Sequence, residues 1–213
     1  MANHDSLSNK GKNDHPAQGP HEAQSAGHTN AQDSQTQEPV KQSSGFKQPK
    51  FWFWIALAVV ILVADQLSKQ YFDGHLYYAE RWPVLPFFDF TLLYNPGAAF
   101  SFLAGAAGWQ RWFFSAIALI ATVLIIYWLQ RQPKKNLFCT ALSCILGGAL
   151  GNVLDRVLHG YVIDFLLFHW QEWYFPAFNI ADIAITIGAA LLIIDEFLRV
   201  RQTKKKLAQK GGD

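Results

Sequence analysis

The chain is predicted to be an all-α membrane protein with four transmembrane helices, both termini in the cytoplasm, and a small extracytoplasmic β element between helices 1 and 2. Three observations predict it. Four long apolar runs lie between residues 51 and 194. Basic residues gather at three places that fall on one side of a four-span topology. Between the first two runs lies an aromatic and apolar stretch with prolines near one end, Trp82 to Tyr94.

The first run is Phe51 to Ala64, extended past polar residues to Phe72. The second, Trp112 to Leu129, and the third, Leu137 to Leu154, carry no charge. The fourth runs from Ile183 to Ile194 and reaches back through Ile180. At about 1.5 Å per residue, roughly 18–20 helical residues cross the hydrocarbon core. The second and third runs meet that length alone; the first and fourth meet it by carrying Asp65 and Asp182 near one end. A soluble helical bundle would need an amphipathic polar face, which uncharged runs of this length do not have. Trp82 to Tyr94 reads as one or two short strands outside or at the interface. Trp82, Trp109, Trp112, Trp170, Trp173 and Tyr174 fit an interfacial aromatic belt.

Charge placement sets orientation. Lys47 and Lys50 precede the first helix, Arg131, Lys134 and Lys135 join the second to the third, and Arg199, Arg201, Lys204, Lys205, Lys206 and Lys210 follow the fourth. The positive-inside rule makes that side cytoplasmic. The basic C-terminal tail, residues 202–213, reads as an orientation anchor and an anionic-lipid contact rather than a nucleic-acid site. Residues 1–46 hold no aromatic before Phe46 and are rich in polar residues. They read as a disordered tail, because such a segment buries too little apolar surface to offset its chain entropy. Residues 47–201 form the membrane domain. Cys139 and Cys144, five positions apart, lie on different faces of one helix and are not placed to pair. With no Cys/His cluster, a zinc site has no support, and no metal or cofactor is expected.

The polar residues are asymmetric. Asp65, Ser68 and Lys69 end the first helix; Asn95 precedes the second; Asn152, Asp155 and Arg156 end the third; Asp164 lies in the loop that follows; Asn179 and Asp182 open the fourth. All map to the extracytoplasmic half. An active site requires such asymmetry; a transporter's path would place polar groups on both sides of the midplane. A carboxylate at a membrane boundary is costly, which makes Asp164 and Asp182 candidates for function. Two carboxylates at close range share one proton and can activate water without a metal or a serine or cysteine nucleophile. Asn179 is the natural cap for the fourth helix. Asp155 is the rival partner for Asp182, and its neighbour Arg156 is a candidate to hold it as an ion pair or to bind a substrate's anionic or carbonyl group. Asn95 and Asn152 either face a site or pack helices. His159 and His169 stand alone and carry no assigned role.

Five motifs resemble the lipoprotein signal peptidases (signal peptidase II) over residues 50 to 200. They are Asp65-Gln66-Leu67-Ser68-Lys69, Asn95-Pro96-Gly97-Ala98-Ala99-Phe100-Ser101, the stretch from Gly147 to Arg156, Val162-Ile163-Asp164-Phe165 and Phe178-Asn179-Ile180-Ala181-Asp182. The resemblance implies a bacterial inner-membrane aspartyl endopeptidase inhibited by globomycin-like peptides; a monomer is expected, although no residue pattern sets the oligomeric state. Its substrates would be prolipoproteins carrying diacylglycerol on a cysteine, cut just before that cysteine. It implies Asp164 and Asp182 as the catalytic pair, with Asp65, Asn95, Asn152, Asp155, Arg156 and Asn179 lining or bracing the site. The tail, residues 1–46, exceeds what that family usually carries.

Overall fold

The computed structural model describes residues 48–97 and 109–210; the polar tail, Lys47 and the Ala98–Ser101 part of the motif that begins at Asn95 lie outside the described residues. The elements run α1 (Pro49–His75), β1 (Arg81–Leu85), β2 (Phe88–Asn95), α2 (Gln110–Arg131), α3 (Asn136–Leu158), β3 (Val162–Trp170), β4 (Trp173–Tyr174) and α4 (Ile180–Lys210). By length and composition α1, α2 and α3 are each apolar enough to cross a membrane. In α4 the uncharged stretch is only Ile183 to Ile194, because Asp195 and Glu196 follow it. That helix also runs on through the basic residues as far as Lys210.

Local chemistry sets the helix ends that matter. Pro49 occupies the first turn of α1, where a missing N–H costs nothing. Gly160, at φ 85°, ends α3 in a left-handed turn, so β3 begins two residues later. Asn179 and Asp182 start α4 as a reciprocal box: Asn179 Oδ1 accepts from the Asp182 N–H (3.0 Å), and Asp182 Oδ2 accepts from the Asn179 N–H (3.3 Å).

The central helix is α3, which packs on α1, α2 and α4. It can do so because its glycines let other backbones come close. A Cβ on Gly147 would lie 2.5 Å from the Ala58 carbonyl oxygen of α1, and one on Gly148 would lie 2.4 Å from that of Ala181 in α4. Close backbone approach through small residues is how helices associate where lipid removes the hydrophobic drive. Phe51, Trp54, Leu129, Cys139 and Leu142 fill the end near the α2–α3 turn, where Trp54 Nε1 donates to the Pro133 carbonyl (3.0 Å). Ile120, Val123 and Leu124 of α2 point outward, as lipid contact requires.

The β element is larger than expected. The strands form one antiparallel sheet in the order β1-β2-β3-β4, so the α3–α4 connection supplies half of it. Asp164, expected in a loop, lies in β3. Val162, Ile163, Phe165 and Leu167 are all buried, so this strand lacks the alternation that marks a half-buried one. Two residues of β2, Thr91 and Leu92, oppose one of β3, and the resulting bulge bends the strand beside Asp164. One side chain from each strand closes the sheet. Asp89 of β2 is buried and accepts from Arg81 of β1 and from His169 Nε2 of β3 (3.2 Å), while Arg81 also donates to Tyr174 Oη of β4 (3.1 Å). His169 therefore has a carboxylate partner, contrary to its reading as a lone histidine.

The α3 glycine contacts give a direct test. Gly148→Val is expected to lower stability by about 1–3 kcal/mol, because the new side chain overpacks the α3–α4 seam. Gly74→Ala, where nothing lies within 4 Å of the new carbon, is expected to be neutral or slightly stabilising. Thermal unfolding of the two variants in detergent checks both.

Candidate active site

A buried lysine organises the polar end of the bundle. Asp65 and Lys69, one turn apart on α1, are both fully buried. Lys69 Nζ reaches Asp65 Oδ2 (2.8 Å), Asp155 Oδ2 (2.9 Å) and Asn152 Oδ1 (2.9 Å), so each of its three N–H bonds has an acceptor. The remaining oxygens are also used. Asp65 Oδ1 accepts from the Ala181 N–H of α4 (2.8 Å), Asp155 Oδ1 accepts from Gln66 Nε2 (2.8 Å), and Asp155 Oδ2 also takes the Ile163 N–H of β3 (3.2 Å). The network ties α1, α3, α4 and β3 together. Lys69, rather than Arg156, is thus the cation that holds Asp155, which corrects the expected pairing.

From Lys69 the hydrogen bonds lead outward with no freedom in their direction. Lysine has no acceptor, so the Asn152 amide must turn its oxygen to Nζ and its NH2 away. That NH2 donates to Asp182 Oδ1 (2.8 Å). The Asn179 amide is fixed in the same way. Its oxygen is committed to the Asp182 N–H, so its NH2 donates to Asp164 Oδ1 (2.7 Å). Asn95 Nδ2 approaches Asp164 Oδ2 (3.2 Å), while Asn95 Oδ1 accepts from the Gly97 N–H (2.9 Å). Each oxygen of Asp164 and Asp182 has a donor, and Asn179 connects the two residues.

Strand register brings together two residues separated by 18 positions in sequence. Asp164 pairs with Leu93, and Asn95 lies two residues further along β2, so Asn95 and Asp164 share a face. Ile163 and Tyr94 point to the other face, against Phe72 and Leu76. After β4 the chain turns back along β3: the Phe178 N–H donates to the Leu166 carbonyl (3.0 Å), and the Phe178 carbonyl accepts from Phe165 and Leu166. The next residue is Asn179, now beside Asp164.

The electrostatics of Asp164 follow from this setting. Burial, reinforced by the negative charge of Asp182, pushes its carboxyl up to about 7, against the opposing hydrogen bonds from Asn95 and Asn179. Arg156 donates from Nη1 to the Asn152 carbonyl (3.1 Å), and its guanidinium stands over the Phe114 ring, within electrostatic reach of Asp182, Asp164 and Asp155. All eight side chains named from the sequence therefore meet in one region. Lys69 was the residue that sequence reasoning left without a role. Its signal was a Lys four positions after an Asp inside an apolar run, which in a membrane helix demands a buried pair.

Lys69→Met would leave Asp65 and Asp155 buried with no cation, and is expected to lower stability by about 3–5 kcal/mol. Adding Asp155→Asn to that variant removes one uncompensated charge and is expected to recover part of the loss. Unfolding of single and double variants in detergent measures the recovery; none at all would contradict the charge account.

Comparison with known proteins agrees with the five motifs. A family model described as signal peptidase (SPase) II matches residues 57–198. The lipoprotein signal peptidase of Ectopseudomonas mendocina is 54% identical over 155 residues, covering 71% of this chain and 92% of that protein. That of Paraburkholderia phymatum is 55% identical over 148 residues, covering 70% and 89%. A bacterial membrane enzyme solved by the in meso method at 2.3 Å resolution superposes with a TM-score of 0.62 at 32% identity, over 70% of this chain and 90% of its own. The chain belongs to the signal peptidase II family of proteases.

Proposed function

We propose that the protein removes signal peptides from prolipoproteins whose cysteine already carries diacylglycerol, cutting on the N-terminal side of that cysteine. In this reading Asp164 and Asp182 are the catalytic pair of an aspartic endopeptidase. The observation that carries it is the Asn179 side chain, which caps Asp182 through its oxygen and donates to Asp164 through its nitrogen.

The geometry supports a division of labour. Asp164, raised to about 7 by burial and by its neighbour, holds the shared proton and polarises the scissile carbonyl. Asp182, at the start of α4 with donors from Asn152 and the Asn179 N–H, takes a proton from water as the water attacks. The tetrahedral intermediate then collapses as a proton passes to the leaving amine. Asn95, Asn152 and Asn179 orient the carboxylates. Asp65 and Asp155 brace α1 against α3 and α4 through Lys69.

The same reading makes α4 the fourth membrane crossing. Both termini then lie in the cytoplasm, since Lys50, Arg131, Lys134, Lys135 and the basic end of α4 fall on one side. The dyad lies at the opposite, extracytoplasmic boundary of a bacterial inner membrane. There, diacylglycerol can stay in the lipid while the peptide reaches the carboxylates.

Asp164→Asn and Asp182→Asn are each expected to reduce cleavage of a lipidated precursor by about a thousandfold or more, with the thermal transition retained. Near wild-type processing by either variant would refute the dyad. An unlipidated precursor is expected to be a poor substrate, and equal turnover of the two forms would remove the lipid from recognition. The pH profile has a definite sign. Activity needs the proton on Asp164, so kcat/KM is expected to fall as pH rises through about 7. Asn95 stabilises the ionised form; Asn95→Ala is therefore expected to move that falling limb to higher pH, read from rates across pH 5 to about 9.

A further inference from the structure

Among the described residues, the buried side-chain nitrogens and oxygens without a hydrogen-bond partner are Arg111 Nε, Ser115 Oγ and Arg156 Nε. They are not scattered. Arg111 and Ser115 lie one turn apart on α2, and Ser115 is only 5% exposed. Arg156 lies one turn before Gly160 at the outer end of α3. The two helices meet there: Arg111 Nη1 would be 3.0 Å from a Cβ on Gly160, and the Arg156 guanidinium stands 5.6 Å from the centre of the Phe114 ring, next to Ser115. All three atoms therefore belong to the outer part of the α2–α3 seam. Arg156 joins that seam to the dyad, and Gly97, two residues from Asn95, closes it by packing on Phe114.

Orphaned donors in a protein interior call for an explanation. Both guanidiniums here rest on aromatic faces, Arg111 on Trp112 (5.1 Å) and Arg156 on Phe114. A ring face attracts a cation but accepts no directed hydrogen bond from Nε, and it offers Ser115 nothing. Among the described residues, no acceptor oxygen reaches these three atoms. The substrate of the proposed reaction, on which this inference rests, brings such oxygen to this depth. Each acyl chain of diacylglycerol is joined to the glycerol by an ester, whose carbonyl accepts but does not donate. A neutral acceptor also suits a site whose arginine already faces Asp164, Asp182 and Asp155, where an added anion would be repelled.

We propose that Arg111 and Ser115, together with Arg156, form a subsite at the α2–α3 seam that binds the ester carbonyls of the substrate's diacylglyceryl group. The site thereby reads the ester linkage as well as the apolar chains. Arg111 and Ser115 are specificity-determining residues in this account and take no part in bond breaking.

The test compares one precursor peptide carrying either a diacylglyceryl or a dialkylglyceryl group, the second being an ether lipid without carbonyls. Full-length protein in one detergent is assayed on both. A lost hydrogen bond to a charged donor is worth about tenfold or more, so the wild type is expected to prefer the ester by about that factor in kcat/KM. Ser115→Ala and Arg111→Gln are each expected to shrink the preference to about threefold or less, mainly through KM. Ser115→Ala is also expected to keep or raise the melting temperature, because it deletes a hydroxyl that has no partner among the described residues. A merely structural serine would show the reverse. The proposal is overturned by equal wild-type rates on the two lipids, by variants that keep the full preference, or by variants that slow both substrates equally. Failure of the wild type to cleave even the ester form would instead defeat the functional reading, and this subsite with it.

Discussion

The polar half of the bundle depends on one ammonium group with no spare hydrogen bond. Lys69 is buried where solvation is unavailable, so its three N–H bonds must end on protein. Two end on carboxylates from different helices, which fixes α1 against α3. The third ends on an amide oxygen, and this contact transmits orientation. It leaves Asn152 only its NH2 for Asp182 and so decides which way that side chain faces the carboxylate. A hydroxyl or a water in place of Nζ could reverse roles; a lysine cannot. The charge also explains why Asp65 and Asp155 can be buried together: the cation lies between them, and backbone N–H groups from Ala181 and Ile163 take up the remaining demand.

The second constraint comes from the start of α4. A helix N-terminus has unsatisfied N–H groups, and one short polar side chain normally answers them. Here the answer is reciprocal, and the cap has a spare NH2. Asn179 spends that group on Asp164, a strand residue, so the capping of a helix and the spacing of two carboxylates become one event. The strand is held to the same standard by its own pairing, since β3 is bonded to β2 on one side and to the returning Phe178 on the other.

Much of this was legible in the sequence, for physical reasons that differ by element. The helices announced themselves because apolar runs of that length have no other use. Asp164 and Asp182 stood out because a carboxylate amid Ile and Phe is costly, and Asn179 because it sits three positions before an acidic residue at a helix start. The unread parts are those where one local pattern hides another. Val162–Trp170 is apolar on both faces, which erases the period of two and lets a strand pass for a loop. Lys69 looked like one more residue at a helix end, although its four-residue spacing from Asp65 encoded the pair. Asp89 lies in a strand whose partners, Arg81, His169 and Tyr174, are set by sheet order, and no local spacing reveals that order.

The position of Asn179 in the chain has a consequence for how the protein is made. Synthesis delivers α1, β3 and their carboxylates first and α4 last. Until α4 arrives, Asp65 has no Ala181 N–H and Asp164 has no Asn179 amide, so the nascent protein holds costly, incompletely answered acids in an apolar layer. The final helix relieves that cost and, in the same step, assembles the paired carboxylates. A chain without its last helix would therefore lack the donors that answer Asp65 and Asp164, and the arrangement of Asp164 beside Asp182 is built only when α4 is in place.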